Sequence, residues 1–167
     1  VFDKDGTLAG YYRKMHIPDD PGFYEKYYFT PGDAQGFEPI QTSIGKLGVM
    51  ICWDQWHSEL YSQLNKLGAD LILCPTAIGK TYINKKLISL PNEKLKWKMV
   101  IQANSLMNNI PVIIANRIGN ENKKNWIISN LDLQVQSKRG LKSGLLKKIQ
   151  KKSSGSKGPN QKLSTII

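Results

Sequence analysis

Three short apolar runs, with helix-like segments between them, restrict the fold of this chain more than any other feature. The runs span residues 47–52, 70–74 and 111–115, and glycine, proline or polar residues bound each of them. Runs of this length are typical of strands that are buried on both faces of a sheet. The order strand, helix, strand, helix, strand predicts a layered α/β fold for residues 1–119.

The two intervening segments have helix signals at their ends. The first, residues 59–67, follows Ser58 as its N-cap and stops at Gly68. The second begins after Asn92, which fits a capping position. Apolar residues at helical spacing predict one buried face for each helix. These stripes are Leu60, Leu64 and Leu67 in the first helix, and Leu95, Met99, Ala103 and Leu106 in the second.

The two ends of the chain give weaker signals. The turn signal Asp5-Gly6 predicts a β-hairpin over residues 1–14. After Gly119 the alternation stops, although residues 126–128 fit a strand and residues 141–149 a weakly amphipathic helix. We therefore divide the chain into a domain of residues 1–119 and a C-terminal region of residues 120–167 with no assigned fold.

The positive charge of the chain is concentrated in this C-terminal region. The 167 residues include 24 Lys and Arg against 13 Asp and Glu, a net charge of +11. Residues 1–120 hold 13 basic and 11 acidic side chains, whereas residues 121–167 hold 11 and 2. The lysine-rich stretch 151–162 has too few apolar groups to form a core, which predicts a disordered basic tail. A tether to nucleic acid or to an anionic surface is the alternative.

Composition excludes several classes of protein. Hydrophobic residues make up 40% of the chain, as in ordinary globular proteins. No apolar run approaches the roughly 18 residues of a membrane span, and residues 1–20 lack the pattern of a secretory signal. The two cysteines, Cys52 and Cys74, make no disulfide framework. We therefore expect a cytoplasmic protein with reduced thiols.

Cys52 is the candidate nucleophile. It lies where a buried strand ends, shortly before a helix cap, and a sharp strand-to-helix turn projects a side chain out of the sheet. A nearby helix N-terminus lowers the pKa of a thiol, and the backbone N–H of Trp53 would donate to an oxyanion. Cys74 also ends a strand, but Pro75 follows and removes the corresponding donor, so we expect Cys74 to be a core residue.

Other polar residues are unremarkable by composition alone. Lys14 fits an exposed lysine at a strand end, and Glu25 fits a surface ion pair. The two histidines, His16 and His57, lie far apart in the sequence and do not have metal-ligand spacing. We therefore expect no metal site.

Several segments, taken together and in order, resemble the carbon–nitrogen hydrolase (nitrilase) superfamily. They read Tyr-Arg-Lys-Met-His-Ile-Pro at 12–18, Glu-Lys-Tyr-Tyr-Phe-Thr-Pro-Gly-Asp at 25–33, Gly-Val-Met-Ile-Cys-Trp-Asp at 48–54, Pro-Thr-Ala-Ile-Gly at 75–79 and Ile-Ala-Asn-Arg-Ile-Gly at 114–119. The resemblance covers roughly residues 1–119. It implies part of a four-layer α-β-β-α sandwich, which forms homo-oligomers through helices that flank the active site.

The resemblance also assigns roles to residues. Cys52 is the nucleophile, Lys14 stabilises the tetrahedral intermediate, and Glu25 positions the lysine and the reacting groups. Trp53 and Asp54 belong to the oxyanion and substrate pocket. The implied reaction hydrolyses the carbamoyl C–N bond of N-carbamoylputrescine, a small-molecule carbamoyl amine, to putrescine, ammonia and carbon dioxide through a cysteine thioester. It calls for no metal and no organic cofactor.

The residues after the nucleophile bear on the substrate. Relatives that hydrolyse carbamoyl amino acids have arginines there to hold the substrate carboxylate. This chain has Asp54-Gln55-Trp56 instead. An acid without an arginine favours a substrate with a cationic amine tail.

Departures from the family pattern leave alternatives open. The first catalytic glutamate of the family, its general base, belongs to a segment ahead of the lysine motif that this sequence does not contain. Residues 120–167 do not match the final strand of the family, and this chain has His57-Ser58-Glu59 where relatives have a proline before the helix glutamate. The alternatives are an inactive fragment, a pseudoenzyme that acts as a binding module, and an amidase for another small amide. Neither nucleic acid nor a membrane is an expected partner.

Overall fold

The computed structural model describes residues 1–20, 23–33, 37–83, 86–87, 92–117, 119–121, 126–128 and 133–135. These residues form short strands and two α-helices. In chain order they are β1 (Asp19–Asp20), β2 (Phe23–Tyr24), β3 (Ile40–Thr42), β4 (Gly45–Val49), α1 (Ser58–Lys66), β5 (Leu71–Thr76), β6 (Lys80–Ile83), β7 (Lys86–Leu87), α2 (Glu93–Met107), β8 (Val112–Asn116), β9 (Gly119–Glu121), β10 (Trp126–Ile128) and β11 (Leu133–Val135).

The largest sheet has five strands in the order β11-β8-β5-β4-β3. Its three central strands run parallel, with Leu47 opposite Leu71 and Ile72 opposite Val112. The edge strands β3 and β11 are antiparallel to their neighbours. The three apolar runs are therefore confirmed as adjacent strands, and the predicted α/β class is correct. The first strand ends at Val49, earlier than expected.

Both helices contribute to one hydrophobic core against the sheet. In β5, Ile72 and Cys74 belong to this core, whereas Leu71 belongs to a second, smaller cluster. This division follows from the alternation of side chains along a strand. The main core comprises Phe37, Met50, Leu60, Tyr61, Leu64, Ile72, Cys74, Trp97, Ile101, Ile110, Val112 and Ile114.

Helix α1 forms as predicted, with two corrections. Ser58 is the first helical residue and His57 is the N-cap, so the helix begins one residue early. Leu60 and Leu64 are buried, but Leu67 is 47% exposed because the helix ends before it. Gly68 has a φ angle of 84°, which only glycine adopts readily, and it terminates the helix as expected.

Helix α2 buries a different face from the predicted one. Asn92 directly precedes the helix as expected, but its side chain makes no capping hydrogen bond. Leu95 and Met99 are 55% and 58% exposed. The predicted stripe was wrong because two polar residues on the true inner face interrupt its apolar pattern. Both satisfy their polar atoms on nearby backbone carbonyls: Asn104 Nδ2 donates to the Val100 carbonyl (3.0 Å), and Ser105 Oγ to that of Ile110 (2.7 Å). The inner face comprises Trp97, Ile101, Asn104 and Ser105.

The predicted N-terminal hairpin is shorter than expected. A single antiparallel bridge joins Phe2 to Leu8, and the N-terminal amine donates to the Gly10 carbonyl (2.8 Å). Gly10 packs closely on Ile40 of β3, and the described chain from residue 11 to residue 18 forms no strand. The prediction that the hairpin reaches residue 14 was therefore wrong.

The remaining strands form smaller sheets. Strands β1 and β2 make one pair, and a second sheet has the order β7-β6-β10-β9. The predicted strand at Trp126–Ile128 is confirmed as β10. Strands β9, β10 and β11 lie at or beyond the boundary that we placed at residue 119, whereas the helix predicted at 141–149 and the basic stretch 151–162 lie outside the described residues. The four-layer arrangement stays a prediction. Neither described helix is long and apolar enough to cross a membrane.

Candidate active site

Cys52 lies at a sharp turn just after strand β4. The Met50 N–H donates to the Leu73 carbonyl (3.0 Å), and Cys52 then opens a short 3-10 helix, Cys52–Trp56. The φ angle of Cys52 is 48°, in the left-handed region that costs a non-glycine residue about 1–3 kcal/mol. The predicted sharp turn is therefore present, and Cys52 is half-buried within it.

Lys14 and Glu25 meet as an ion pair. Lys14 Nζ lies 2.5 Å from Glu25 Oε2, and the two side chains are 12% and 28% exposed. The loop after Glu25 is held against the lysine segment because the Gly32 N–H donates to the Lys14 carbonyl (2.8 Å). A Cβ atom on Gly32 would lie 2.4 Å from the Arg13 carbonyl oxygen, so this close approach requires glycine. The structure thus brings these two predicted site residues together.

Asp54 connects the lysine segment to the cysteine turn. Its Oδ2 accepts hydrogen bonds from the Tyr12 hydroxyl (2.8 Å) and the Ile51 N–H (2.9 Å), and its Oδ1 accepts one from the His16 N–H (2.9 Å). Tyr12 and His16 lie two residues on either side of Lys14, and Ile51 precedes Cys52. The carboxylate is fully buried. Both of its oxygens are occupied, so Asp54 lies behind the site rather than on the wall of an open pocket.

Electrostatics keep Tyr12 as a donor to this carboxylate. Burial, followed by the negative charge of Asp54, raises the pKa of Tyr12 above its usual range. The phenol therefore stays protonated throughout the physiological range. It also accepts a hydrogen bond from the Met15 N–H (3.1 Å), which ties the residue after Lys14 to the same network.

Gln55 is a buried polar residue that sequence reasoning did not assign to the site. Its side-chain amide donates to the carbonyl of Cys52 (2.6 Å) and accepts from the indole N–H of Trp97 (2.5 Å). The only sequence signal was a glutamine between Asp54 and Trp56, three residues after a candidate nucleophile. Its partner on α2 is 42 residues away in the chain, so the pairing was not visible locally.

The two histidines are adjacent, contrary to the expectation from their sequence positions. The His16 and His57 rings stack with centroids 3.4 Å apart and an interplanar angle of 16°. His16 Nδ1 lies 2.9 Å from Asp54 Oδ1, and His57 Nδ1 lies 3.3 Å from Glu59 Oε1. The stack therefore forms a second contact between the lysine segment and the region after the cysteine turn.

Among the described residues, this histidine pair and Glu59 form one group whose ligand atoms could hold a metal ion, since those atoms lie within 4.8 Å of one another. The near-parallel rings argue against a ready-made site. Ring-nitrogen lone pairs lie in the ring planes, so those of stacked rings run side by side and do not converge on one ion. The chemistry described below uses neither histidine as a ligand.

Cys74 differs from Cys52 in its surroundings. It is 1% exposed within the main core. Burial raises the pKa of its thiol to about 12. A thiol that stays protonated and is inaccessible is a poor nucleophile, so the structure agrees with its expected place in the core.

Two tryptophans, Trp53 and Trp56, lie in the cysteine turn. Trp53 is 37% exposed, and its ring centroid lies 6.2 Å from that of Trp56. The Trp53 N–H makes no hydrogen bond to any described residue, which leaves it free to donate to a reacting oxygen. Trp56 packs against the main core, and its buried indole N–H also has no partner among the residues that the structure describes.

These elements define a thiol at a strained turn and a lysine–glutamate pair, whose chain segments are connected through the buried Asp54 carboxylate. The sequence matches the carbon-nitrogen hydrolase family over residues 1–130. The chain therefore belongs to the carbon–nitrogen hydrolase family. The match extends past Gly119, so it includes residues that we placed in the C-terminal region.

Curated relatives of this chain include two kinds of amidohydrolase. The N-carbamoylputrescine amidase of Solanum lycopersicum is 46% identical over 121 residues, which are 72% of this chain and 39% of that protein. The citrullinase of Francisella tularensis is 43% identical over 123 residues, 72% of this chain and 41% of that protein. The chain spans about two fifths of the length of these curated relatives.

Solved structures agree with the fold. The crystal structure of a carbon-nitrogen hydrolase from Helicobacter pylori G27 has a TM-score of 0.67 and 44% sequence identity, and the match covers 76% of this chain and 45% of that one. A structure of Nit3 from Saccharomyces cerevisiae, at 20% identity, has a TM-score of 0.60 and supports the fold alone.

Proposed function

We propose that this chain carries the site of a thiol amidohydrolase that acts on a carbamoyl group at the end of a short alkylamine. One observation carries the proposal: the strained Cys52 turn and the Lys14–Glu25 pair are joined through the buried Asp54 carboxylate. A nucleophile and a cation held in fixed relation are what acyl transfer requires.

In the first half of the reaction the Cys52 thiolate attacks the carbamoyl carbon. The C=O electron pair moves onto oxygen, and Lys14 Nζ and the Trp53 N–H stabilise the oxyanion that forms. The tetrahedral intermediate collapses, its C–N bond to the terminal nitrogen breaks, and ammonia leaves with a proton from the general acid. The resemblance gives that role to a glutamate outside this sequence. Glu25 orients Lys14 through their ion pair.

In the second half water attacks the carbamoyl thioester on Cys52 and gives a proton to the group that acted as general acid in the first half. The same donors stabilise the second oxyanion, the C–S bond breaks, and the thiolate is regenerated. The carbamate that leaves loses carbon dioxide to give the free amine. Each step is acid–base and nucleophilic chemistry at side chains and water, in which the lysine acts as a fixed charge.

The relatives support a substrate with a terminal urea. N-carbamoylputrescine and citrulline both carry a carbamoyl group on an aliphatic amine, and citrulline has a carboxylate in addition. Asp54 and Gln55 follow the nucleophile, and both are fully buried, so neither would contact that carboxylate. These two positions therefore do not select the substrate. We propose N-carbamoylputrescine as the preferred substrate because relatives named for that activity are 44–46% identical to this chain, whereas the citrullinase is 43% identical.

Ammonia release tests the proposal. The 167-residue chain and the same chain fused behind the N-terminal segment of the Solanum relative are each given N-carbamoylputrescine, citrulline and a simple amide. Cys52→Ala is the nucleophile-free control, and Cys74→Ala is the matched cysteine control. We expect release that requires Cys52, is unaffected by Cys74→Ala, and is fastest with N-carbamoylputrescine.

The outcomes separate the alternatives. Release by the fused protein alone would show that the site is correct and requires the supplied glutamate. Faster ammonia release from the simple amide would show that the preferred substrate is an amide and not a carbamoyl amine. It would leave the proposed thiol amidohydrolase chemistry unchanged. No Cys52-dependent release from either protein, with folding verified by circular dichroism, would overturn the proposal and favour a binding module.

A further inference from the structure

The side chain of Gln55 is enclosed and makes a hydrogen bond at each of its polar ends. It is 0% exposed. Its Nε2 donates to the Cys52 carbonyl (2.6 Å) and to Thr76 Oγ1 (3.3 Å), and its Oε1 accepts from Trp97 Nε1 (2.5 Å). Its backbone carbonyl accepts from the buried Tyr61 hydroxyl (2.9 Å). Gln55 is therefore anchored to the end of β5 and to both helices.

Trp97 determines which way the Gln55 amide faces. An indole N–H is only a donor, so the group that faces it must be the amide oxygen. The Gln55 amide nitrogen is then directed at the Cys52 carbonyl oxygen. If the Gln55 amide were turned by 180°, its own oxygen would face that carbonyl oxygen, and the two would repel. The contact that fixes the Cys52 carbonyl is thus set from helix α2, outside the cysteine turn.

Fixing this carbonyl also fixes the next N–H. The described residues contain no cis peptide bond, so the C=O of Cys52 and the N–H of Trp53 point in opposite directions. Since the carbonyl points at the buried Gln55 amide, the Trp53 N–H points away from it. That N–H has no hydrogen bond within the described part of the chain.

From this geometry we infer that Gln55 is a positioning residue for the reaction: it holds the Cys52–Trp53 peptide in the orientation that presents the Trp53 N–H to the oxyanion. The inference rests on the proposed function. Gln55 itself does not touch the substrate, because it is fully buried on the carbonyl side of the peptide. Its effect is expected on transition-state stabilisation and not on substrate binding.

The test uses Gln55→Met, which preserves side-chain length and removes the donor. Trp97→Phe is the second variant, since it keeps an aromatic ring and removes the N–H that orients the amide. Ser105→Ala is the matched control because it deletes another fully buried side-chain hydrogen bond, to the Ile110 carbonyl (2.7 Å), with no contact to the turn.

Two readouts are measured in the protein that proves active in the ammonia assay, or otherwise in the chain alone. The first is kcat and KM for ammonia release. The second compares reversible addition of butyraldehyde to Cys52, which forms an oxyanion-like thiohemiacetal, with alkylation by iodoacetamide, which does not. The second readout needs only a competent thiol and oxyanion site, so it tests the inference independently of turnover.

Loss of one oxyanion donor lowers kcat by about 100- to 1000-fold in known cases. For Gln55→Met we expect a fall of about 100-fold in kcat and in aldehyde affinity, with KM and the alkylation rate within about twofold. Trp97→Phe should show a smaller fall of the same kind, and Ser105→Ala should show none. If Gln55→Met does not fold, the kcat and aldehyde affinity of Trp97→Phe test the inference instead.

Unchanged aldehyde affinity in a folded Gln55 or Trp97 variant would overturn the inference. Equal losses in alkylation and aldehyde addition would also overturn it, because they would show general damage to the turn. Absence of turnover in every protein, with normal aldehyde addition by the parent chain, would instead count against the proposed function alone.

Discussion

At the scale of single residues, the Asp54 carboxylate is the contact on which the site depends. Enclosing a carboxylate without water is costly unless donors satisfy its oxygens. Here the donors are Tyr12, His16 and Ile51. The motifs allowed Cys52, Lys14 and Glu25 to be proposed from the sequence. The role of Asp54 was not predictable, because its partners are brought to it by folding from as far as 42 residues away.

Replacing Asp54 with asparagine should damage the site and the fold together. The amide NH₂ would face at least one N–H or O–H donor, leaving a buried group unpaired at a cost of about 1–3 kcal/mol. We expect a lower urea midpoint and at least a tenfold lower kcat in the ammonia assay. Asp5→Asn is the control, since Asp5 is exposed and bonds only to Thr7. An Asp54→Asn protein with parental stability and rate would contradict this account.

The two cysteines should differ sharply in labelling. Because the pKa of Cys74 is raised to about 12, its thiolate is scarce at pH 7 to 9, and burial also blocks access. Iodoacetamide should therefore modify Cys52 much faster than Cys74 in the native protein, and the Cys74 rate should rise as pH approaches 12. Mass spectrometry of tryptic peptides measures both rates. Rapid native labelling of a Cys52→Ala protein would show that Cys74 is accessible after all.

At the scale of elements, the sequence predicted a strand or helix well when neighbouring residues determine it, and poorly when contacts between distant segments determine it. Apolar runs identified the central strands because burial on both faces leaves no polar positions. The buried face of α2 was predicted wrongly because Asn104 and Ser105 lie on it. Their side chains donate hydrogen bonds to backbone carbonyls, and a hydropathy pattern does not reveal such bonds. The predicted hairpin was too long because Gly10 packs against β3. That contact depends on where the sheet places β3, which the local sequence does not show.

The loop that carries Glu25 should be sensitive to Gly32. A Cβ atom in Gly32→Ala would meet the Arg13 carbonyl at 2.4 Å and push the loop from the lysine segment. We expect at least a tenfold lower kcat with little change in Cys52 alkylation, since the cysteine turn is not touched. Gly6→Ala is the control: its φ of 85° strains alanine, but open space surrounds the added atom. Equal kinetic effects of both substitutions would refute the specific role of Gly32.

At the scale of the whole molecule, the excess positive charge is concentrated beyond the residues that the structure describes. Residues 136–167 hold nine basic side chains and no acidic one, whereas β11 ends at Val135. The charge therefore follows β11, the C-terminal strand of the described residues, in the sequence. Exposed apolar side chains on α2, including Met99 and Met107, are compatible with the homo-oligomer implied by the resemblance, which stays a prediction.

Truncation after Val135 separates these two properties. The shortened chain keeps β11 but has a net charge near +2, so it should elute from a heparin column at much lower salt. Its circular dichroism and its Cys52 alkylation rate should match those of the full chain. Substituting the nine basic residues with glutamine gives the length-matched control. Retention at high salt after truncation would place the anion-binding surface within the first 135 residues.

The contacts around the cysteine join segments that are distant along the chain. Asp54 is paired with Tyr12 and His16 across 42 and 38 residues, and Gln55 with Trp97 across 42. Contacts of such long range form only once large loops have closed. A growing or partly unfolded chain therefore lacks the arrangement of Cys52, Lys14 and Glu25 on which the proposed reaction depends. On this proposal, protein copies that have failed to fold would not attack the amides around them.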